Sequence, residues 1–377
     1  MKSVYLDNAA TTPMLPEVIE TVTDAMKNYD GNPSSIHQIG RRAKSVVETA
    51  RKNIAKHFNA SANEIYFTAG GSEADNLILR NAVVNLGVKT IISSKIEHHA
   101  VLHAIENLQD EFKITVKWVK LTESGAINYE HLVSLLNEND EKKLVSLLYV
   151  NNETGTVLNV KKVADLCVEY QALFHTDAVQ AVAHFNIDVQ QIPIHFFAAS
   201  AHKFHGPKGV GFAYIKKGIA VKPMLFGGEQ ERGVRAGTEN VHSILGMERA
   251  LEIAYKNLKE DSAYIQSLKD YFISQLNENF EGISFNGNSN NKEHSSYIIL
   301  NVRFPKTYKM LLFNLDLKGI AASGGSACQS GSDKGSHVLH EILNEEESKK
   351  TSVRFSFSKL NTKEDVDSTI NALKQLI

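Results

Sequence analysis

The feature that most constrains the fold is an alternation of two kinds of segment between residue 64 and about residue 215. Short runs of β-branched or apolar residues alternate there with stretches that have helical periodicity. An alternation of this length favours an α/β fold with a mostly parallel sheet covered by helices on both faces. Ligands bind beyond the carboxyl ends of the strands in such sheets, so residues that follow strands are the candidates for a site. The predicted strands are residues 65–69, 90–94, 114–119, 144–150, 173–177, 196–200 and 211–215, and the predicted helices are residues 72–84, 100–108, 129–136 and 160–170.

The most informative strand end is the one that carries Lys203. The apolar run 196–199 leads into Ser200, His202 and Lys203, and a Gly-Pro turn follows at 206–207. A lysine at the end of a buried strand is poorly solvated, which lowers its pKa towards that of a free, nucleophilic amine. Such an amine can form a Schiff base with an aldehyde. The alternative is an ordinary surface lysine, which the neighbouring strand ends make less convincing.

Two further strand ends offer an anion site and a flat ring. Gly71 and Ser72 follow the strand at 65–69 and begin a helix, where free N–H groups can bind an anion and Ser72 can act as the N-cap. A plain helix cap is the alternative for this stretch. His98 follows the strand at 90–94, and its imidazole could lie over a planar cofactor. Adjacent His98 and His99 lack the helical spacing of a metal-binding pair.

The remaining strand ends carry Asn152, within a polar turn, and Asp177 with Gln180 shortly after it. A carboxylate that ends an apolar strand is costly to bury without a cationic partner, so Asp177 implies such a partner. Pyridoxal 5′-phosphate requires a Schiff-base lysine, a carboxylate for its ring nitrogen, a group that stacks on the ring and a phosphate site. The strand ends supply this combination, which predicts that cofactor.

The character of the chain changes at about residue 247. Residues 247–282 have the pattern of a long amphipathic helix, residues 286–291 form a turn, 296–302 and 352–356 have strand patterns, and 364–376 have a helical one. We interpret this part as a smaller α+β domain. The predicted division is a large cofactor-binding domain at 13–256 and a small domain made of 1–12 and 257–377.

The small domain contains the second candidate for chemistry, Cys328. It lies in a segment, 323–336, in which nine of fourteen residues are Ser or Gly, so we expect a mobile loop. An exposed cysteine on such a loop risks oxidation, and its placement there favours a chemical role. Cys167 falls within an apolar helical pattern and is expected to pack in the core.

Composition excludes several other classes. The chain has 41 Lys and Arg against 43 Asp and Glu, which gives no basic excess for binding nucleic acid. No apolar stretch approaches the ~20 residues of a membrane span, and the N-terminus lacks a signal-peptide core. Two cysteines make a disulfide framework improbable and fit a reducing cytoplasm. No closely spaced Cys/His set predicts a metal site.

Motifs that run in order along nearly the whole chain resemble one enzyme family. The chain resembles the cysteine desulfurases of the NifS/IscS-like group, within the class-V aminotransferase family of pyridoxal phosphate enzymes of fold type I. The matching motifs are YLDNAATTP at 5–13, GNPSSIH at 31–37, FTAGGSEADN at 67–76, EHHAV at 97–101, VNNETG at 150–155, TDAVQ at 176–180, residues 200–211, GGEQERGVRAGTEN at 227–240, GGSAC at 324–328 and SVRFS at 352–356.

The resemblance implies a role for each matched position. Lys203 would form the Schiff base with the cofactor, Asp177 would pair with its ring nitrogen, and His98 would stack on the ring and transfer protons. The other implied cofactor residues are Asn152 and Gln180 near the phenolic oxygen, and Gly71, Ser72, Ser200 and His202 at the phosphate, together with Thr238 from the partner subunit of a homodimer.

The resemblance also implies the reaction. Arg354, assisted by Asn152, would bind the α-carboxylate of L-cysteine, and the Cys328 thiolate would take its sulfur as a persulfide and leave L-alanine. A sulfur-acceptor protein, serving iron–sulfur cluster assembly or tRNA thiolation, would then receive the sulfur. The alternatives are a selenocysteine lyase, another class-V enzyme such as an aminotransferase or a kynureninase-like hydrolase, and a catalytically idle interaction platform.

Overall fold

The computed structural model describes residues 3–324 and 335–377. All seven strands predicted for the first part of the chain are present, several of them shorter than expected. The strands are β1 (Val4–Tyr5), β2 (Ile65–Thr68), β3 (Thr90–Ser93), β4 (Thr115–Trp118), β5 (Lys143–Ser146), β6 (Leu173–Asp177), β7 (Phe196–Ser200), β8 (Gly211–Ile215), β9 (Ser284–Phe285), β10 (Ile299–Arg303), β11 (Ile320–Ala321) and β12 (Ser352–Ser356). The helices are α1 (Pro16–Asn28), α2 (Gln38–Lys56), α3 (Gly71–Val84), α4 (His99–Phe112), α5 (Tyr129–Leu136), α6 (Val160–Glu169), α7 (Val241–Asn279), α8 (Leu311–Leu317), α9 (His337–Ile342), α10 (Glu345–Ser348) and α11 (Lys363–Leu376).

A seven-stranded sheet with the order β2-β8-β7-β6-β5-β3-β4 forms the centre of the larger part. Only β8 runs opposite to the other six strands, so the predicted mostly parallel α/β sheet is confirmed. Successive residues of a strand point to opposite faces. Phe196 and Phe197 accordingly belong to two different apolar cores, and helices α3 and α4 contribute to the one that contains Phe196. Both faces of the sheet are therefore covered.

The C-terminal part contains a three-stranded antiparallel sheet with the order β12-β10-β9. The N-terminus joins this part, since β1 pairs in parallel with β11 and Asn8 binds the main chain of Ser356. The helix predicted at 247–282 is α7, which begins at Val241 and ends at Asn279. The proposed boundary at 256/257 falls within α7, so this one helix extends across both proposed domains.

Helices α1 and α2, which the sequence patterns above leave unassigned, both pack against α7. Helix α1 begins with Pro16 in its first turn, a position where the missing N–H costs nothing. Between β1 and α1 the chain crosses the end of β7, and this crossing segment (residues 6–13) reaches Lys203. Among the described residues, none of the helices has the length and apolarity needed to cross a membrane.

Candidate active site

One cavity of about 230 Å³ lies at the carboxyl ends of the central strands. It collects residues that are far apart in the sequence, because parallel strands end at the same edge of a sheet. The predicted residues that line it are Gly71, Ser72, His98, Asn152, Asp177, Gln180, Ser200, His202, Lys203 and Arg354. Asp75, Ala9 and Ala10 also line it and were not predicted.

Lys203 is the last residue of a single 3₁₀ turn that follows directly after β7, at the edge of the cavity. Its Nζ donates hydrogen bonds to the carbonyl oxygens of Ala9, at 2.6 Å, and Ala10, at 2.9 Å. Gln180 donates to the same Ala9 carbonyl at 2.8 Å. The crossing segment therefore forms one wall of the site through its main chain. Main-chain acceptors have no residue signature, so the side-chain pattern could not reveal this wall.

Asp177 is the last residue of β6 and is almost completely buried. Burial, and next to it the neighbouring Asp75, raise the pKa of Asp177 to about 7. The main-chain N–H of Val179 donates to its Oδ1 at 2.9 Å and works in the opposite direction. A cation placed against this carboxyl would favour its ionised form.

His98 is the N-cap of α4, and its Nδ1 accepts a hydrogen bond from the N–H of Ala100 at 3.1 Å. Burial, followed by the charge of Lys203, lowers the pKa of His98 to about 4. The ring is therefore neutral at neutral pH. Because Nδ1 is an acceptor, the ring proton resides on Nε2.

The anion-binding end of the cavity is formed where β2 leads into α3. Gly70 is the N-cap, with no side-chain capping bond, and α3 begins at Gly71. The expected N-cap role of Ser72 is therefore wrong, because the helix begins one residue earlier than predicted. A Cβ on Gly71 would lie 2.5 Å from Cγ2 of Val179, so glycine allows the helix end to approach the sheet.

Ser200 and His202 face this helix end from β7 and its turn. The Nδ1 of His202 lies 3.2 Å from Oγ1 of Thr11. Burial, and then Lys203, lower the pKa of His202 to about 4, so its ring is neutral at neutral pH. The neutral imidazole of His202, the hydroxyls of Ser72 and Ser200 and the N-terminus of α3 together suit a phosphate group.

Arg354 lies on β12 at the opposite side of the cavity and is 1% exposed. Its Nη1 donates to the main-chain oxygen of Asn152, and its Nη2 to Oδ1 of Asp7, both at 2.8 Å. Its Nε is buried and has no hydrogen-bond partner among the described residues. The guanidinium is thus fixed in position by two of its five N–H donors, and its Nε–H is unused.

Comparison with known proteins identifies the relatives of this chain. The sequence profile described as aminotransferase class-V matches residues 4–369. The chain belongs to the class-V aminotransferase family. It is 43% identical to the putative cysteine desulfurase IscS 1 of Bacillus subtilis, over 97% of this chain and 96% of that protein. It is 39% identical to the cysteine desulfurase IscS of Dictyoglomus turgidum, over 100% of this chain and 95% of that protein.

Solved structures agree with this assignment. A NifS-like protein superimposes with a TM-score of 0.90 at 34% identity, and the match covers 99% of both chains. A NifS-like protein from Rickettsia africae gives a TM-score of 0.88 at 30% identity, over 100% of this chain and 99% of that one. The predicted family, its NifS/IscS-like group and its pyridoxal phosphate fold are thereby confirmed.

The residues of this class-V site fit pyridoxal 5′-phosphate, the cofactor of the family. An amine, a buried carboxyl, a neutral imidazole and a helix N-terminus surround one cavity. The predicted cofactor is confirmed by the family. Which residue makes which contact with it remains a prediction.

Of the predicted residues that the structure describes, Thr238 does not line this cavity. Thr238 lines a separate pocket. A buried salt bridge between Arg51 and Glu231, at 2.7 Å, holds the segment that contains Thr238 to the larger part of the molecule. A second pair, Arg235–Glu73 at 2.8 Å, joins the same segment to the first turn of α3. Cys328 lies outside the described residues.

Both described ends of the segment that contains Cys328 contact neighbours of the cavity. The main chain of Ser323 pairs with that of Arg354, at 2.6 and 3.2 Å. The hydroxyl of Ser336 donates to the carboxylate of Glu153, the residue after Asn152. Residues 325–334 join these two ends.

The remaining predictions concern the second cysteine and metals. Cys167 is completely buried on α6, and burial raises the pKa of its thiol, as expected for a core residue. Among the described residues there is no group of His, Cys, Asp and Glu side chains arranged to hold a metal ion.

Proposed function

We propose that this protein is a pyridoxal phosphate-dependent cysteine desulfurase that converts L-cysteine to L-alanine and holds the released sulfur as a persulfide on Cys328. Curated relatives named cysteine desulfurase match over essentially the full length of the chain. The observation that carries the proposal is the joint presence of Lys203, Asp177 and Arg354 around one cavity, with both described ends of the Cys328 segment beside it.

The cofactor supplies an electron sink for the bonds at the substrate's α-carbon. The amine of Lys203 would attach the cofactor through its aldehyde and would move protons at the substrate. Asp177 would hold the proton on the ring nitrogen. Neutral His98 would lie against the ring and present Nε2–H, since its Nδ1 is occupied by Ala100.

Arg354 would bind the substrate carboxylate with its unused Nε and one Nη donor. Asn152 supports this arrangement, because its main-chain oxygen holds Nη1. A carboxylate bound there would lie on the side of the cavity next to Ser323, whose main chain pairs with that of Arg354. That is the side from which Cys328 would approach.

The sulfur step balances without an external oxidant. The Cys328 thiolate attacks the substrate sulfur, a new S–S bond forms, and the C–S bond of the substrate breaks. The electron pair of that bond stays with the substrate, whose β-carbon is protonated and thereby reduced, while the transferred sulfur is oxidised to the persulfide level. A thiol or an acceptor protein then removes this sulfur.

Three finer statements belong to the same proposal. The enzyme would be a cytoplasmic homodimer, in which Thr238 of each chain reaches the phosphate end of the partner's cavity. The acceptor would be a scaffold or sulfurtransferase protein of iron–sulfur cluster assembly or tRNA thiolation. Neither a membrane nor a nucleic acid would take part directly.

The test measures both products from one substrate. The purified holoenzyme, incubated with L-cysteine and dithiothreitol, should release alanine and sulfide in equal amounts. Cys328→Ser should abolish both products while the visible absorption of the bound cofactor is retained, and Cys167→Ser is the matched control. Unchanged turnover in Cys328→Ser would remove the thiol from the reaction, and turnover of L-selenocysteine alone would favour a selenocysteine lyase.

A further inference from the structure

Two buried carboxyl groups, Asp75 and Asp177, line the cavity, and a third, Glu97, is buried close enough to interact with both. Asp75 on α3, Glu97 before α4 and Asp177 at the end of β6 are 1%, 2% and 3% exposed. The cations on the cavity wall are Lys203 and Arg354, and Arg354 is already paired with Asp7. Burial and mutual repulsion disfavour the ionisation of all three carboxyls at neutral pH. Which of them holds a proton therefore decides how the cofactor is bound.

Asp75 has a specific partner, His175. Its Oδ1 lies 3.3 Å from Nε2 of His175, although the two atoms are not aligned for a hydrogen bond. The other ring nitrogen, Nδ1, lies 2.9 Å from Oγ of Ser146 on β5. The main-chain oxygen of Ser146 in turn accepts a hydrogen bond from Ser93 on β3, at 2.8 Å. This network fixes the ring of His175 within the sheet.

His175 and Asp177 are two residues apart on β6 and so point to the same face of the sheet. Asp75 reaches that face from α3. Burial lowers the pKa of His175 to about 4, so the ring cannot serve Asp75 as a cation at neutral pH. Burial also raises the pKa of Asp75 and that of Glu97 well above the usual value.

Asp177 differs from Asp75 in its surroundings. It accepts the Val179 N–H, and the charge of Lys203 favours its ionised form. The charge of Asp75, if present, would act against it. The proton of this cluster is thus better placed on Asp75, with neutral His175 against it, than on Asp177.

We propose that Asp75 is a positioning residue that keeps its proton, so that Asp177 is the carboxyl that becomes ionised when a cationic ring nitrogen arrives. Asp75 would hold that proton on the side of its carboxyl that faces Nε2 of His175, 3.3 Å away, and would not touch the reacting atoms. This inference rests on the proposed role of Asp177 as the partner of the cofactor. A neutral Asp75 would leave the negative charge of Asp177 undisturbed.

The first test reads the protonation state directly. The infrared difference spectrum of wild type minus Asp75→Asn, in D₂O at pH 7, should show the C=O stretch of a protonated carboxyl and no matching carboxylate band. It should do so in both the cofactor-free and the cofactor-loaded protein. A carboxylate band at position 75 in the loaded protein would overturn the proposal.

The second test uses cofactor binding and stability. Asn imitates a protonated carboxyl, so Asp75→Asn should bind pyridoxal phosphate within about twofold of wild type, since a neutral group replaces a neutral group. A change of tenfold or more would mean that Asp75 acts as an anion. The control, Asp177→Asn, should lose at least tenfold in cofactor affinity. Retained affinity in that variant would refute the proposed role of Asp177 instead, whatever the infrared band shows.

The same substitution has a defined effect on pH dependence. A carboxyl whose pKa is raised in the folded state binds more protons there than in the unfolded chain. The stability of the cofactor-free protein therefore falls as the pH rises from about 4 through the folded pKa. Asp75→Asn removes this loss, so its melting temperature should exceed that of wild type by a margin that grows between pH 5 and pH 8. A constant margin would mean that Asp75 is ionised throughout.

Discussion

Arg354 illustrates how a single side chain is prepared for a substrate before the substrate arrives. Two of its nitrogens are held by Asn152 and Asp7, and Nε is left buried without a described partner. A substrate carboxylate at Nε would satisfy a donor whose burial otherwise costs free energy. The planar fork can serve three acceptors at fixed angles, whereas an ammonium cannot reproduce that geometry.

We therefore expect Arg354→Lys to raise the KM for L-cysteine by roughly 10- to 100-fold, since a charged, bidentate hydrogen-bonded contact contributes about 1.5–3 kcal/mol. Steady-state kinetics would measure this, with cofactor absorbance as a check on the site. The matched control is Arg303→Lys on the neighbouring strand β10, where the arginine pairs with Glu347 away from the cavity. An unchanged KM in Arg354→Lys would mean that another group binds the carboxylate.

At this scale the sequence predicted the side chains that follow strands, because an apolar run that ends in a polar residue is visible in one dimension. Lys203, Asp177 and His98 are of this kind, and the structure brings them to one cavity. Asp75 was missed because it lies on the buried face of a helix, where a carboxyl has no periodic signature. The available signal was the position of Asp75 four residues after Gly71. This spacing puts the acid about one helical turn from the first-turn glycine, so both lie at the same end of the helix.

Helix α3 is the element on which the anion site depends. Its first turn sits against the sheet only because residue 71 has no side chain, and Val179 occupies the space that a Cβ would need. The pair Arg235–Glu73 holds the same turn to the segment that contains Thr238. A substitution at Gly71 should therefore affect binding at the phosphate end of the cavity more than packing in the core.

Gly71→Ala should weaken the binding of pyridoxal phosphate by roughly 5- to 100-fold, because overpacking by one methyl group typically costs about 1–3 kcal/mol. Fluorescence titration of the cofactor-free protein would measure the loss. The double variant Gly71→Ala/Val179→Ala relieves the clash and should recover most of the affinity. A double variant as weak as the single one would show that the glycine acts through something other than this contact.

Helices and strands that depend on nearby residues were predicted better than those that depend on contacts between distant parts of the chain. The strands of the central sheet are buried runs with strong apolar signals, so all seven were found, with errors at their ends. The two-residue strands β1 and β11 exist only because they pair with each other, more than 300 residues apart in the chain. Helix α7 was placed but begins earlier than predicted, because Asn240 caps it through Ser243 and that capping signal was not used.

The surface of the molecule is unusual in where it exposes apolar side chains. Apolar side chains that are 50% to 89% exposed include Ile19 and Met26 on α1, Ile36 just before α2, Ile39 in its first turn, and Phe226. Exposed apolar groups of this size commonly mark contact with another chain. The segment that begins at Phe226 continues to Thr238, which lines a pocket other than the cavity that contains Lys203. A closed dimer would cover the exposed side chains near α1 and α2. It would direct the segment from Phe226 to Thr238 towards the phosphate end of the partner subunit's cavity.

Mixed dimers test this arrangement without a crystal. Thr238→Glu places a negative charge beside the phosphate and should inactivate the enzyme by electrostatic repulsion, and Lys203→Ala inactivates it by removing the amine. If Thr238 acts across the interface, a heterodimer of the two variants contains one doubly altered site and one intact site. After unfolding and refolding of an equal mixture, random pairing should restore roughly one quarter of the wild-type rate of alanine formation. If Thr238 acts within its own chain, every site carries one defect and the mixture stays inactive, as each variant refolded alone does.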